Sequence, residues 1–277
     1  MNIDPTRIGT YRRILAELEE KHRRGLIDEL LAKHGFAIVA NVLFESTEVV
    51  DIYEGLSGLD QDVSGSLRKF TAGCTLLTDE RRRGNNVARN VGFELGMAAF
   101  FRRSGFSIRL MPPADLWVQL GETTVAIECK RPFSYDGLGG NLDKAFSQLR
   151  ERYRNHPTPS HVRGIVALSA SKMENDGSRM LKADNVAELN FSVRQLSNDF
   201  VTKTASFWDN ARDERTIGLV VSFRALSPVE DVNLFTVAQH FTWIGLAQSS
   251  SDREVFRSVS SAFNKLVPNA KDVDTTD

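Results

Sequence analysis

The chain has 277 residues, 41% of them hydrophobic and 26% charged, with a formal net charge of −1 and a pI near 6.5. This suits one elaborated globular domain at roughly 100–200 residues per domain and excludes a polycation, so any nucleic-acid surface must be a local patch. Two cysteines, Cys74 and Cys129, lack metal-type spacing; they argue against a disulfide scaffold or zinc knuckle and fit a reducing cytoplasm, while no apolar run reaches the ~18 residues of a membrane helix.

The start, "MNIDPTRIGT", has no apolar segment of the kind a signal peptide carries. Residues 7 to 34 read as one or two helices, with Ile14, Leu15, Leu18, Leu26, Ile27, Leu30 and Leu31 at helical spacing and Gly35 as a stop. Residues 46 to 59 suggest another helix, followed by the loop-like "GLSGLDQDVSGS". Residues 1–85 are therefore expected to form a helical N-terminal extension or dimerisation region, with 7 to 34 as the candidate interface. "DERRRGNN" (79–86) reads as a turn carrying Arg81, Arg82 and Arg83.

From Asn86 to Ser104 the pattern is helical again, and Glu94 lies inside this mostly apolar stretch. "FSIRL" (106–110) reads as a short strand ended by "MPP". "ADLWVQL" and "TTVAIECK" read as two strands joined by "GE". "PFSYDGLGGN" (132–141) reads as a mobile loop in which Phe133 and Tyr135 could stack on bases, with core packing or a plain loop as the equal alternative. An amphipathic helix follows over 141–155, then the buried-type strand "RGIVALSAS". Residues 184 to 209 are largely helical, "TIGLVVSF" and "FTWIGLA" are further strands, and "DREVFRSVSSAFNKL" is a closing helix. The expected class is α/β, with a mixed central sheet flanked by helices over 86–270 and a flexible tail at 271–277.

Strand side chains alternate faces, so Glu128 and Lys130 in "VAIECK" share one face. A packed strand has no structural need for an acid and a base side by side at its end. Read with Glu94 on the preceding helix and Asp115 opening the neighbouring strand, the pair resembles the site of the PD-(D/E)xK phosphodiesterase superfamily, the restriction-endonuclease-like nucleases. The resemblance covers roughly residues 86 to 170. Asp115 matches the family's central Asp, Glu128 and Lys130 its E-x-K, and Glu94 its helical acid. Ala114 separates Pro113 from Asp115, so the literal "PD" is absent.

The resemblance implies a helix, a three-stranded meander, a helix and a further strand. It also implies Mg²⁺, with Mn²⁺ as a substitute, held by Asp115, Glu128 and the Cys129 carbonyl, with Glu94 serving a second ion or a bound water. Mg²⁺ prefers oxygen ligands and keeps several waters, which suits two carboxylates. Lys130 is then expected beside the attacking water and a phosphate oxygen. Gln148, on the helix after E-x-K, matches a position that some family branches bring to the site, and Tyr153 falls one residue beyond the usual spacing.

Lys130, Arg131, Lys144, Arg150, Arg152 and Arg154, with Arg81–Arg83 and Arg102–Arg103, form a candidate phosphate footprint, set against the reading of ordinary solvated faces. The expected function is a cytoplasmic, metal-dependent endonuclease acting on DNA in prokaryotic restriction or antiviral defence, with no membrane partner and a homodimer for duplex cleavage. An RNA nuclease, or a catalytically inactive nucleic-acid-binding or partner-docking module on the same fold, stays open.

Overall fold

The structure, a computed structural model, describes residues 6–76, 86–111, 114–174, 180–209, 213–231, 234–266 and 271–273. Four helices come first: α1 Thr6–Arg23, α2 Ile27–His34, α3 Phe36–Leu56 and α4 Ser64–Thr71. Then follow α5 Val87–Arg103, β1 Ser107–Met111, β2 Ala114–Leu120, β3 Thr123–Lys130, α6 Tyr135–Asn155 and β4 Val162–Ser169. The chain continues through the single turn α7 Ser171–Glu174, α8 Val186–Asp209, β5 Thr216–Val229, β6 Leu234–Gly245, α9 Ser250–Asn264 and the short β7 Lys271–Val273.

The strands form one mixed sheet in the order β1-β2-β3-β4-β5-β6-β7. β1, β2 and β3 are an antiparallel meander, β4 and β5 run parallel to β3, and β6 returns antiparallel along β5. β7 pairs parallel with β6, where the sequence offered only a tail. The β2–β3 link is a two-residue turn between the paired Leu120 and Thr123, and Gly121 supplies the positive φ of 56° that such a turn needs.

Two cores lie on the two faces of the sheet. On one face α6 and α8 bury Leu138, Leu142, Phe146, Leu189 and Phe200 against Ala126, Val166 and Leu219. On the other, α5 and α9 bury Leu95, Phe101, Phe256 and Phe263 against Val118, Ile127 and Trp243. Such a three-layer arrangement follows from strands that are apolar on both faces.

The helices before residue 85 join this scheme. Ile52 and Leu56 of α3 and Phe70 of α4 belong to the same cluster as α5 and the meander, so the expected boundary at 85/86 falls within one core. The apolar stripe of α1 and α2 closes on α3 itself, through Tyr11, Ile14, Leu30, Val39 and Val42. A buried ion cluster ties them further: Glu45 of α3 pairs with Arg7 of α1 and lies 3.0 Å from Arg89 of α5.

Residues 135–141, expected as loop, are the first turns of α6. Three glycines in five residues weaken helix propensity, but Leu138 and Leu142 are fully buried one turn apart and hold the segment to the core. Tyr135 is fixed by its hydroxyl to Glu174 and by its ring against Phe200, while Phe133 lies under the Lys172 ammonium at 3.5 Å. Both aromatics are therefore structural.

Candidate active site

The β2–β3 register builds the site. Leu116 pairs with Ile127 and Trp117 with Ala126, so Asp115 and Glu128 stand side by side at the end of the ladder. Ile127 and Cys129 point into the α5 core, whereas Ala126 lies in the α6 core. Glu128 and Lys130 therefore share the face covered by α6, as their spacing predicts.

The contacts are short and convergent. The backbone N–H of Cys129 donates to Asp115 Oδ2 at 2.7 Å, which fixes that carboxylate against β3. Lys130 Nζ donates to Glu128 Oε2 and to the Cys129 carbonyl, each at 3.2 Å, and lies 3.9 Å from Asp115 Oδ2. One ammonium thus collects the three oxygens assigned above to a divalent ion. The Glu128 side chain is fully buried, and those of Lys130 and Asp115 are 11% and 23% exposed.

Glu94, half-buried on α5, completes the set: its carboxyl feels Asp115 and Glu128 as repelling charges and Lys130 as an attracting one. Burial and Asp115 push Glu94 up to about 7, and the same two causes push Glu128 up to about 7. Lys130 and Arg152 offset part of the Glu128 effect. Burial and the neighbouring carboxylates hold the Cys129 thiol well above its usual range, so it is a protonated spacer whose backbone does the work.

Arg152 is the site residue that sequence reasoning missed. Counted above as part of the phosphate footprint, it is buried on α6 with Nε 3.4 Å from Glu128 Oε1, an ion pair outside hydrogen-bond geometry. Gln148 lies one turn before it on the same helix face, and the i, i+4 spacing could have identified the pair. Tyr153, one position further round, points into the core. Its hydroxyl meets Thr216 Oγ1 at 3.0 Å and its ring occupies the space where a Cβ on residue 164 would stand.

The rest of the footprint disperses. Arg102 donates to the Gly55 and Ser57 carbonyls at the end of α3, and Arg103 pairs with Asp51 at 3.6 Å. Lys144 and Arg154 are exposed. Arg81–Arg83 and Pro113 lie outside the described residues.

Among the described residues no three His, Cys, Asp or Glu side chains form a metal cage. A hydrated Mg²⁺ needs only one or two carboxylates beside its waters. Glu128 Oε1 and Gln148 Oε1 are buried acceptors without a hydrogen-bond partner. Arg152 is the cation facing the first of these; on the other side Asp115 Oδ2, Glu128 Oε2 and the Cys129 carbonyl, which converge on one ammonium, are the oxygen donors that fit a hard divalent ion. No helix among the described residues is long and apolar enough to cross a membrane. No protein-family model matches the chain, and no curated protein shows significant similarity to it.

Proposed function

We propose that the protein is a metal-dependent nuclease that hydrolyses phosphodiester bonds in DNA. The observation that carries this reading is the convergence of Asp115 Oδ2, Glu128 Oε2 and the Cys129 carbonyl on one ammonium, at the end of two paired strands. The order α5–β1–β2–β3–α6–β4, with β4 parallel to β3, supports the PD-(D/E)xK resemblance. A cytoplasmic role in prokaryotic restriction or defence rests on that resemblance.

Asp115, Glu128 and the Cys129 carbonyl would hold Mg²⁺ or Mn²⁺. The ion supplies an acidified water and a polarised phosphate. Lys130, on its flexible stem, turns to neutralise a non-bridging phosphate oxygen as charge builds there. Glu94, with its carboxyl pushed up to about 7, would take up the proton released as a water oxygen bonds to phosphorus, while the ester P–O bond breaks and the leaving oxygen takes a proton from solvent water. Arg152 keeps Glu128 Oε1 oriented. Cutting both strands of a duplex calls for a dimer, whose surface is not the apolar stripe of residues 7–34, because that stripe is buried within the chain.

One feature favours a second reading. Glu128 already faces two cations, Lys130 and Arg152, a charge balance that also suits a nucleic-acid-binding module without cleavage. One assay separates the two. Purified protein is incubated with supercoiled and linear duplex DNA, single-stranded DNA and RNA, in Mg²⁺, Mn²⁺ or EDTA, beside Asp115→Ala and Lys130→Ala. Metal-dependent cleavage lost in both variants is expected. Binding without turnover in the presence of metal selects the second reading, and cleavage that survives both substitutions refutes the site.

A further inference from the structure

A second cavity lies beside the site, on the face of the sheet that α6 covers. Asp115, Trp117 and Gln119 alternate onto that face of β2, so Trp117 stands two residues from Asp115, about 7 Å along the strand. The cavity around Trp117 has a volume of about 530 Å³, floored by β1, β2 and β3 and walled by the last turn of α6. Ligand pockets commonly measure about 300–1,000 Å³, so a base, its sugar and a phosphate fit.

Three features of the lining stand together. Trp117 is half-buried and meets the His156 ring at 5.6 Å between centroids, so the two make one aromatic wall. His156 is fixed there by its backbone N–H, which donates to the Arg152 carbonyl at the end of α6. Beside Trp117 on β1 is Arg109, exposed and without a hydrogen-bond or ion-pair partner among the described residues. Arg152 is 8% exposed, and its Nε faces Glu128 at 3.4 Å without a hydrogen bond. Its guanidinium makes no hydrogen bond to any described residue. Five N–H donors in a rigid fork let one arginine face Glu128 and the cavity together, and a buried donor without an acceptor is costly. No Asp or Glu is among the described residues that line the cavity. Such a lining suits a ligand with a flat ring and an anionic group that accepts hydrogen bonds.

We infer that this cavity holds one unpaired nucleotide of the strand being cut, with its base against Trp117 and His156 and its phosphate on Arg109 and Arg152. Stacking on aromatic rings in a positively charged groove is how proteins take single strands. The orientation follows from α6, whose C-terminal carbonyls carry partial negative charge and favour the base over the phosphate at the helix end. A base inside a duplex is stacked and paired and cannot reach such a wall. The substrate is therefore single-stranded where it meets the protein. The inference rests on the nuclease reading for the cleavage step alone, and binding of the strand is tested apart from it.

Tryptophan emission supplies the readout. Of the three tryptophans, Trp208 and Trp243 are buried, and Trp117 lines this cavity. Wild-type protein in EDTA would be titrated with an end-labelled single-stranded DNA oligonucleotide, with the same sequence as a duplex, and with its RNA counterpart, following emission and label anisotropy. The single strand is expected to quench Trp117 and to bind about tenfold or more tighter than the duplex, the scale of one base stack. Trp117→Ala should remove that advantage. Arg109→Met, at an exposed position that keeps the test valid should Trp117→Ala fail to fold, should lower the salt slope of single-strand binding by about 0.7. Arg253→Met, exposed on α9 at the opposite face of the sheet, should change nothing.

Binding of the RNA oligonucleotide in place of the DNA keeps the cavity and assigns its strand to RNA. Equal binding of duplex and single strand, unchanged tryptophan emission, or an equal loss in Arg253→Met overturns the inference. Metal-dependent cleavage without these binding effects sinks it and leaves the nuclease reading intact; single-strand binding through Trp117 without any cleavage does the reverse.

Discussion

Glu128→Gln perturbs the site with little change of shape, and its effect on stability can be worked out in advance. The Glu128 carboxyl is at about 7 in the folded chain, against 4.5 for an unperturbed glutamate, chiefly because burial penalises its charge and Asp115 repels it. Between these values the folded state binds a proton that the unfolded state has released. Stability therefore falls as pH rises through this window: the contribution is fully present below 4.5 and lost above about 7. The gap is worth about 3 kcal/mol. Glutamine does not titrate, and Glu94, which shifts over the same range, is present in both proteins and cancels to first order. Urea unfolding of both proteins in EDTA from pH 4.5 to 8.5 should show the variant gaining about 3 kcal/mol on the wild type across the window. Mg²⁺ at pH 8 should then stabilise the wild type, by about 2.7 kcal/mol at a hundred times its Kd, and leave the variant unchanged. A stability difference that stays flat with pH refutes the electrostatic account of Glu128. Equal stabilisation of both proteins by Mg²⁺ refutes its role as a ligand.

Glu45→Gln leaves Arg7 and Arg89 buried without their shared carboxylate and should cost about 3–5 kcal/mol, read as a lower urea midpoint at unchanged slope. Arg152→Met removes a charge that holds the Glu128 carboxyl down, so the rise of kcat/KM with pH should move to higher pH by less than about one unit. Tyr153→Phe loses the hydrogen bond to Thr216 and should cost about 1 kcal/mol by denaturant titration while cleavage is unaffected.

Where one periodicity governed a segment, the sequence was readable. Alternation over "ADLWVQL" and "TTVAIECK" yields β2 and β3 with their bounds, and the face shared by Glu128 and Lys130 follows from it. The long hairpin of β5 and β6 was only half visible. "RALSPV" and the first half of β6 carry polar residues and Pro228, which mask a strand when read alone, yet twelve residue pairs hold the two strands together. The start of α6 was hidden by its glycines, whose low propensity is overridden by burial of Leu138 and Leu142. The role of α3 and α4 was hidden because a helix does not announce which partner its apolar face meets. Arg152 was legible in principle, but a basic residue on an amphipathic helix is ordinarily solvated, and only the fold brings it over Glu128.

The two cations at Glu128 are not equivalent, and the difference bears on how the site can work. Arg152 is anchored in the α6 face and presents a rigid fork, so it acts as the fixed counter-charge to Oε1. Lys130 sits at the open end of the strand on four rotatable carbons, touching Oε2 and the Cys129 carbonyl, and it can leave. Glu94 and Glu128, both pushed up by burial and by the neighbouring Asp115 charge, need a cation between them. Lys130 can be that cation while the site is at rest and can yield the position to a divalent ion of higher charge. Once displaced, its ammonium would stay tethered two residues from Glu128, within reach of the space beside the same oxygens, where the proposed nuclease function would put a phosphate. Under the proposed function the i, i+2 spacing would give one lysine two successive duties. Arginine at 130, with a broader and stiffer head, would fill the first and obstruct the second.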